Sequence, residues 1–339
     1  MSGAKIPRDV EQRLLNRTGG APDGGGKNGH ADSPFGTFTA AELMSEELPP
    51  VRWAVPGILP EGVSFLAGKP KMGKSWMSYG LCVAVATGGV ALGTKRVERG
   101  ETLYLALEDN KRRLQRRLDK LLAGGSVPEG LHMALDWPRA DEGGVEKLDG
   151  FLRAHPDCRL VVIDTLARFK PHAGGRRSQY DEDRDAVDPL RPICADHAVT
   201  ILLVHHLRES ESDDPLDMIH GSAGLTGGVD GALVLKRQRG DADAYLHVDG
   251  RDIEEPTELA LEFDHDAATW AIKGDADDYR KGKLRRAIVK ALEDAEEPMG
   301  AQDVADAVDE KYDNVRQRLY QMSKAGEVKT VARGRYAAL

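Results

Sequence analysis

Residues 68–75 read Gly68-Lys69-Pro70-Lys71-Met72-Gly73-Lys74-Ser75, the frame G-x-x-x-x-G-K-S. Each fixed position has a chemical reason. Gly68 and Gly73 free the backbone where a Cβ would clash, so that successive N–H groups can turn inward around phosphate oxygens. Lys74 reaches β- and γ-phosphate oxygens, and Ser75 offers a hydroxyl to Mg²⁺. The four middle positions are free, so Pro70 and Met72 do not break the frame. Lys71 adds positive charge beside the phosphates or points into solvent. An apolar run, "VSFLA", precedes the loop, and "SWMSYGLCVAVA", opening on Ser75 and Trp76, has the length and pattern of a helix. Strand, loop, helix is the context that lets this motif hold a nucleotide.

Two carboxylates stand where hydrolysis needs them. "RLVVID" is a buried-type strand ending at Asp164, placed to hold Mg²⁺ directly or through water. "TLYLALED" ends another strand at Glu108, where a carboxylate can orient and deprotonate an attacking water, with Asp109 as the second choice. Acids at strand ends also serve as helix caps or solvated turns. "ILLVHHLRES" ends a third strand in His205-His206, where a polar side chain can sense a γ-phosphate and relay its loss to the following loop. A zinc reading of the two histidines finds no further ligands at useful spacing.

These groups need a scaffold. "GVSFLAG", "ETLYLALED", "LHMAL", "CRLVVIDTL" and "VTILLVHH" are short continuous apolar runs separated by helical patterns. They predict strands buried on both faces, hence an α/β core with a mostly parallel sheet. After residue 220 come closely spaced runs, "GALVLKRQ", "AYLHVDGRD", "ELALEFD" and "TWAIK", expected to be antiparallel strands extending one edge. Residues 1–37, rich in glycine and polar side chains, read as a flexible tail ahead of a core domain spanning 38–274.

A charged stretch, 275–283, reads as a linker to a second domain over 284–339. There Leu284, Ile288, Ala291 and Leu292 mark one helix, "GAQDVADAVD" a second, and Val315, Leu319 and Met322 a third, followed by a hairpin turning near Arg333-Gly334. That order is the order of a winged helix-turn-helix. Its third helix offers Asn314, Arg316, Gln317, Tyr320, Gln321 and Lys324 to phosphates and base edges, and the wing offers Arg333 and Arg335. Protein docking is the other common use of such a module.

The chain of 339 residues has a net charge of −9 and 40% apolar residues, which argues against a general nucleic-acid coat. The balance reverses locally. Over 311–339, Lys311, Arg316, Arg318, Lys324, Lys329, Arg333 and Arg335 stand against Asp313 and Glu327 alone. No run approaches the roughly 18 apolar residues of a membrane span, and no secretory signal opens the chain. Cys82, Cys158 and Cys194 match neither a disulfide framework nor a zinc pattern, so a reduced, cytoplasmic setting is expected.

In combination, "WAVPGILPEGVSFLAGKPKMGKSW", "LYLALEDNKRRLQRRL", "VVIDTLARF", "LLVHHLR" and "GSAGLTGGVDGALVLKRQRG" with "VDGRD" resemble the RecA-like ATPases of the RepA/DnaB-type ring helicase group, over about residues 40–275. The resemblance implies ATP and Mg²⁺ as cofactors, Glu108 as catalytic base and His206 as γ-phosphate switch. It further implies a hexameric ring with ATP at subunit interfaces, and a cationic finger from the neighbouring subunit at Arg251. Asp249 stands where the bacterial replicative members often carry a lysine. Arg251 can also serve as a strand-edge ion pair. DNA-contacting loops in the family follow the strands ending at Asp164 and His206. The first here carries Arg168, Lys170, Arg176 and Arg177, suited to a single-strand backbone or to plain solvation. The second, "RESESDDPLDMIH", is acidic and unsuited to DNA. Two functions follow as expectations. One is a ring-forming ATPase motor or helicase on single-stranded DNA in phage or mobile-element replication or recombination, with duplex DNA or a loading protein at the winged helix. The other is a nucleotide-gated DNA-binding, recombination-mediator or regulatory protein that does not unwind.

Overall fold

The computed structural model describes residues 37–172, 184–206, 228–237 and 243–339. Most of the expected tail, Arg176, Arg177 and the acidic segment after His206 lie outside the described residues. The chain divides into two units, Met1–Pro50 and Val51–Leu339. In the first, helix α1 (Ala40–Ser45) starts from a capping box: Thr39 Oγ1 accepts from the Glu42 N–H and the Glu42 carboxylate accepts from the Thr39 N–H. None of its residues is buried.

The second unit is built on one nine-stranded sheet. In chain order its elements begin with a small antiparallel pair, β1 (Trp53–Val55) and β2 (Leu59–Pro60). Strand β3 (Gly62–Gly68), helix α2 (Lys74–Thr87), the pair β4 (Val90–Ala91) and β5 (Lys95–Arg96), and β6 (Glu101–Ala106) follow. Then come α3 (Lys111–Leu122), β7 (Leu131–Ala134), α4 (Gly144–Ala154), β8 (Cys158–Asp164), the short α5 (Leu166–Phe169), α6 (Leu190–His197) and β9 (Thr200–His206). Strands β10 (Gly231–Arg237), β11 (Asp243–Gly250), β12 (Thr257–Asp264) and β13 (Thr269–Asp275) complete the sheet. Its spatial order is β13-β12-β11-β10-β3-β9-β8-β6-β7, parallel from β10 to β7 and antiparallel from β10 to β13.

The continuous apolar runs are explained by two packed faces. Along β3, Leu66 faces the layer holding α2, with Met77, Tyr79 and Leu81, whereas Val63, Phe65 and Ala67 face the layer holding Leu148 and Leu152 of α4 and Leu190 and Ile193 of α6. Strands β6, β8 and β9 alternate the same way. A strand covered on both sides has no position at which polarity is favoured, so the period-two signal disappears into a block of Val, Ile and Leu.

The stretch 275–283, expected as a linker, is instead the first half of helix α7 (Ala276–Glu293). Asp275 caps it by accepting from the Asp277 and Asp278 N–H groups. Charged side chains pin this half to the sheet: Arg280 lies 2.5 Å from Glu258 and over the Tyr245 ring, and Lys283 lies 2.9 Å from Asp243. The other half joins β14 (Met299–Gly300), α8 (Ala301–Val308), α9 (Tyr312–Lys324), β15 (Lys329–Ala332) and β16 (Arg335–Ala337). Ile288, Leu292, Val304, Val315, Leu319 and Met322 form a separate apolar core there. The hairpin β15–β16 turns at Arg333-Gly334, Gly334 taking a positive φ, and the two-residue β14 adds a third strand too short to leave a sequence pattern. Among the described residues, no helix is long and apolar enough to cross a membrane.

Candidate active site

Register alone assembles the site. Gly68 at the end of β3 lies opposite His206 at the end of β9, Asp164 at the end of β8 opposite Val204, and Ala106 at the end of β6 opposite Asp164. Four carboxyl strand ends therefore open on one crevice, the usual ligand position of an open parallel sheet. The loop 69–73 crosses this edge into α2. Gly73, at φ 96°, is the helix N-cap, and Lys71 also takes a positive φ. Gly68 must be glycine: a Cβ there would sit 2.7 Å from the backbone oxygen of Leu235. On the outer side of the loop, Trp270 Nε1 donates to Gly73 O over 3.2 Å and holds the turn in place.

Lys74 is buried, and its Nζ donates to Gly68 O at 2.6 Å and Lys69 O at 2.9 Å. It also lies 3.1 Å from His206 Nδ1. Burial pushes its pKa down to about 8, opposed by the Asp164 charge. Desolvation and the Lys74 charge hold His206 below the ordinary imidazole range, so the neutral ring accepts at Nδ1 from the ammonium. His205 points the other way, its ring edge-on to Phe65, and burial pushes it down to about 4. The adjacent histidines thus separate into one facing the phosphate loop and one set against Phe65.

Asp164 is 7% exposed and accepts at Oδ2 from the Tyr104 hydroxyl at 2.7 Å. Tyr104 in turn stacks on Tyr79 of α2 at 4.9 Å. Neither tyrosine was singled out by sequence reasoning. The signal was present, since a tyrosine in a strand buried on both faces requires a polar partner for its hydroxyl. Glu108 projects from the loop after β6, half-exposed; its Oε1 accepts from Thr165 Oγ1 at 3.2 Å and lies 3.5 Å from Arg168 Nε. Asp109 is instead held by two arginines, Arg113 at 3.2 Å and Arg117 at 2.7 Å, and is only 9% exposed against 45% for Glu108, which leaves Glu108 the more accessible carboxylate of the pair.

The donor set fits the group implied by the loop. Ser75 follows Lys74 on the first turn of α2, and Asp164 is a buried oxygen ligand on the facing strand end, an all-oxygen pair of the kind Mg²⁺ takes. Trp76 packs into an aromatic cluster with Phe263 at 6.4 Å, under the Arg117 guanidinium. Met72 packs against the same core. Pro70 is exposed, and Lys69 is half-buried with its carbonyl accepting from Lys74.

A family model described as an AAA domain matches residues 31–212, more than half of the chain. The chain belongs to that family. Among solved structures, a DnaB-like replicative helicase, described together with its interactions with primase, is similar over 78% of this chain and 70% of its own, at 12% identity and a TM-score of 0.51. A KaiC-like protein from the hyperthermophilic archaeon Pyrococcus horikoshii OT3 matches over 66% of this chain and 99% of its own, at 16% identity and a TM-score of 0.43. The likeness to the helicase is one of fold. This AAA-domain protein has a RecA-like P-loop ATPase core.

The remaining candidates fall elsewhere. Arg251 follows β11, and its register partner region, Gly250 opposite Gly231 and Gly231 opposite Ser64, lies at the amino end of β3. It is therefore at the opposite edge of the sheet from Lys74, paired with Asp230 at 3.1 Å and half-exposed. Arg168 reaches Glu108 as described, and Lys170 O accepts from Arg139. On α9, Arg316, Gln317, Tyr320 and Lys324 are exposed, as is Arg333. Arg335 is exposed but pairs with Asp303 at 3.2 Å.

Proposed function

We propose that this protein is an ATP-hydrolysing motor of the helicase type that assembles as a ring and acts on single-stranded DNA. The observation that carries the reading is the placement of its two catalytic halves. Lys74, Ser75, Asp164, Glu108 and His206 converge at one edge of the sheet, while Arg251 stands at the other edge. Arg251 cannot reach the phosphates held by its own subunit. A neighbour's loop, brought against that edge in a ring, would meet it directly.

In hydrolysis, Glu108 takes a proton from water as the water oxygen bonds to the γ-phosphorus and the bond to the ADP oxygen breaks. Thr165 and Arg168 fix the carboxylate for that task. Lys74 stabilises the phosphoryl oxygens, and Arg251 of the adjoining subunit neutralises the charge that grows on them. Ser75 and Asp164 would hold Mg²⁺, which would supply further neutralisation of the phosphate charge. Phosphate entering the loop competes with His206 for the Lys74 ammonium. Release of His206 is then the first movement of a γ-phosphate signal into the segment beyond β9.

The α7–β14–α8–α9–β15–β16 order supports the winged-helix reading of the C-terminal unit, with exposed Arg316, Gln317, Tyr320, Lys324 and Arg333 for duplex DNA or a loading protein. Arg168 and Lys170, with Arg176 and Arg177 beyond the described residues, are assigned to the single strand. The second reading, a nucleotide-gated binding or recombination-mediator protein without unwinding, is favoured by Asp249 at the family's lysine position and by the Asp230 carboxylate that engages Arg251.

Mixing tests the shared site. Lys74→Ala and Arg251→Ala are each inactive alone, and their mixture recovers hydrolysis because some interfaces pair an intact loop with an intact finger. If no mixture recovers activity although both variants assemble, the finger does not act across subunits. Strand displacement on a forked substrate separates the motor from the non-unwinding alternative.

A further inference from the structure

The amino edge of the sheet, remote from the phosphate loop, carries a second cluster of chemistry-bearing side chains. Glu101 opens β6, His132 is the second residue of β7, and His155 caps the end of α4 just before β8. Glu101 Oε2 lies 3.0 Å from His132 Nε2 and 2.6 Å from His155 Nδ1. The carboxylate oxygen and the two ring nitrogens all fall within 4.8 Å of one another. We propose that Glu101, His132 and His155 form a binding site for a divalent transition metal ion of the Zn²⁺ type.

The donor chemistry is the first support. Two imidazoles and one carboxylate are a zinc ligand set that leaves a fourth position open. Ligand atoms at about 2.0–2.1 Å from a tetrahedral ion stand roughly 3.3 Å apart, so seating an ion means moving the Glu101 oxygen outward by about 0.3–0.7 Å from its present 3.0 and 2.6 Å to the two ring nitrogens. Both imidazoles place a ring nitrogen on the same carboxylate oxygen, so the three ligand atoms are already gathered in one place.

Rigidity is the second. The three residues sit on three elements locked together by backbone hydrogen bonds, Glu101 N to Asp157 O at 2.9 Å and Thr102 N to Gly130 O at 2.8 Å, and His132 is in register with Leu103. One ring orients both imidazoles: Phe151 stacks on His155 at 4.3 Å and meets His132 edge-on at 5.4 Å. The side chains are about one-third exposed, which permits entry without leaving the ligands loose. Glu101 and His132 also line a cavity of about 510 Å³ together with Glu129, Asp157 and Arg99, giving an approach path and room for a water or an anionic fourth ligand.

The site is structural or regulatory. Strand β8, seven residues long, separates this edge from Asp164, roughly 20 Å at a strand rise of about 3.3 Å per residue. A bound ion would clamp β7, the edge strand of the sheet, to β6 and to the end of α4.

The test uses the full chain stripped with EDTA and titrated with ZnSO₄, followed by calorimetry and thermal melting. Wild type binds one ion per chain at this site and its Tm rises with Zn²⁺. Co²⁺ added in place of Zn²⁺ gives visible d–d absorption. Glu101→Gln and His155→Gln each weaken Zn²⁺ binding at least about 100-fold, more than the 10–100-fold typical of losing an outer partner, and abolish the Co²⁺ band. Lys74→Ala keeps both. His132→Gln serves if either of the first variants fails to fold, judged by its ATP binding and its melting in EDTA. Wild type that binds no Zn²⁺ while folded, or variants that bind it as tightly as wild type, would overturn the site.

Discussion

Nζ of Lys74 lies 3.1 Å from Nδ1 of His206, which joins the phosphate loop to the end of the neighbouring strand β9. The ammonium is otherwise held by two backbone oxygens of its own loop. On the proposed function, phosphate oxygens entering the loop compete with His206 for the Lys74 ammonium.

The pKa of about 8 for Lys74 sets a pH dependence. Phosphates raise it on binding, so binding takes up a proton above pH 8. Affinity is flat below that value and falls up to about tenfold per pH unit above it. Calorimetry at pH 8.8 in buffers of different ionisation enthalpy should report the uptake. In the free protein the sign is opposite for stability. The folded pKa is below the unfolded value of 10.5, so the unfolded chain binds more protons between the two and stability from this group rises with pH over that window. Lys74→Met should raise the nucleotide-free Tm at pH 7 and lose that gain by pH 10.

Tyr104→Phe removes the donor to Asp164 Oδ2 without changing the packing on Tyr79. A hydrogen bond to a charged group is worth about 1.5–3 kcal/mol, and the expected loss of stability lies in that range. The Mg²⁺ concentration for half-maximal hydrolysis should also shift several-fold, because the carboxylate loses its fixed orientation. Denaturant melts and a Mg²⁺ titration check the two halves.

Gly68→Ala places a Cβ 2.7 Å from Leu235 O, a backbone atom in a central strand that cannot give way cheaply. The expected cost is about 1–3 kcal/mol, with nucleotide binding lost because β3 and β10 must part next to the loop. An equilibrium nucleotide titration at a temperature where the variant is folded measures it.

Much of this was legible in the residues. The strands ending at Gly68, Asp164 and His206, and the one leading to Glu108, could be placed because each is an apolar block followed by a polar residue at its carboxyl end. The antiparallel edge was legible because its runs are closely spaced, with too few residues between them for a crossover helix. What escaped depended on side chains meeting across the sheet. Tyr104 and Asp164 are 60 residues apart, and Trp270 reaches Gly73 across 197. Residues 275–283 read as a linker because a helix stabilised by ion pairs to a sheet, as Arg280 and Lys283 are, has no apolar face to advertise it.

Leu319→Ala tests the C-terminal unit. Leu319 is fully buried in a core separate from the sheet's two layers, and its truncation should cost about 2–5 kcal/mol locally. Duplex DNA or loader binding should fall while ATP hydrolysis without DNA stays near wild type. Filter binding alongside a hydrolysis assay reads both.

Steady-state ATP hydrolysis with and without single-stranded DNA, using Lys74→Ala as the blank, tests the central claim most directly. The account predicts hydrolysis that vanishes in Lys74→Ala and rises several-fold when single-stranded DNA is added to wild type. Hydrolysis indifferent to DNA, in protein that has assembled and binds ATP, would contradict a DNA motor.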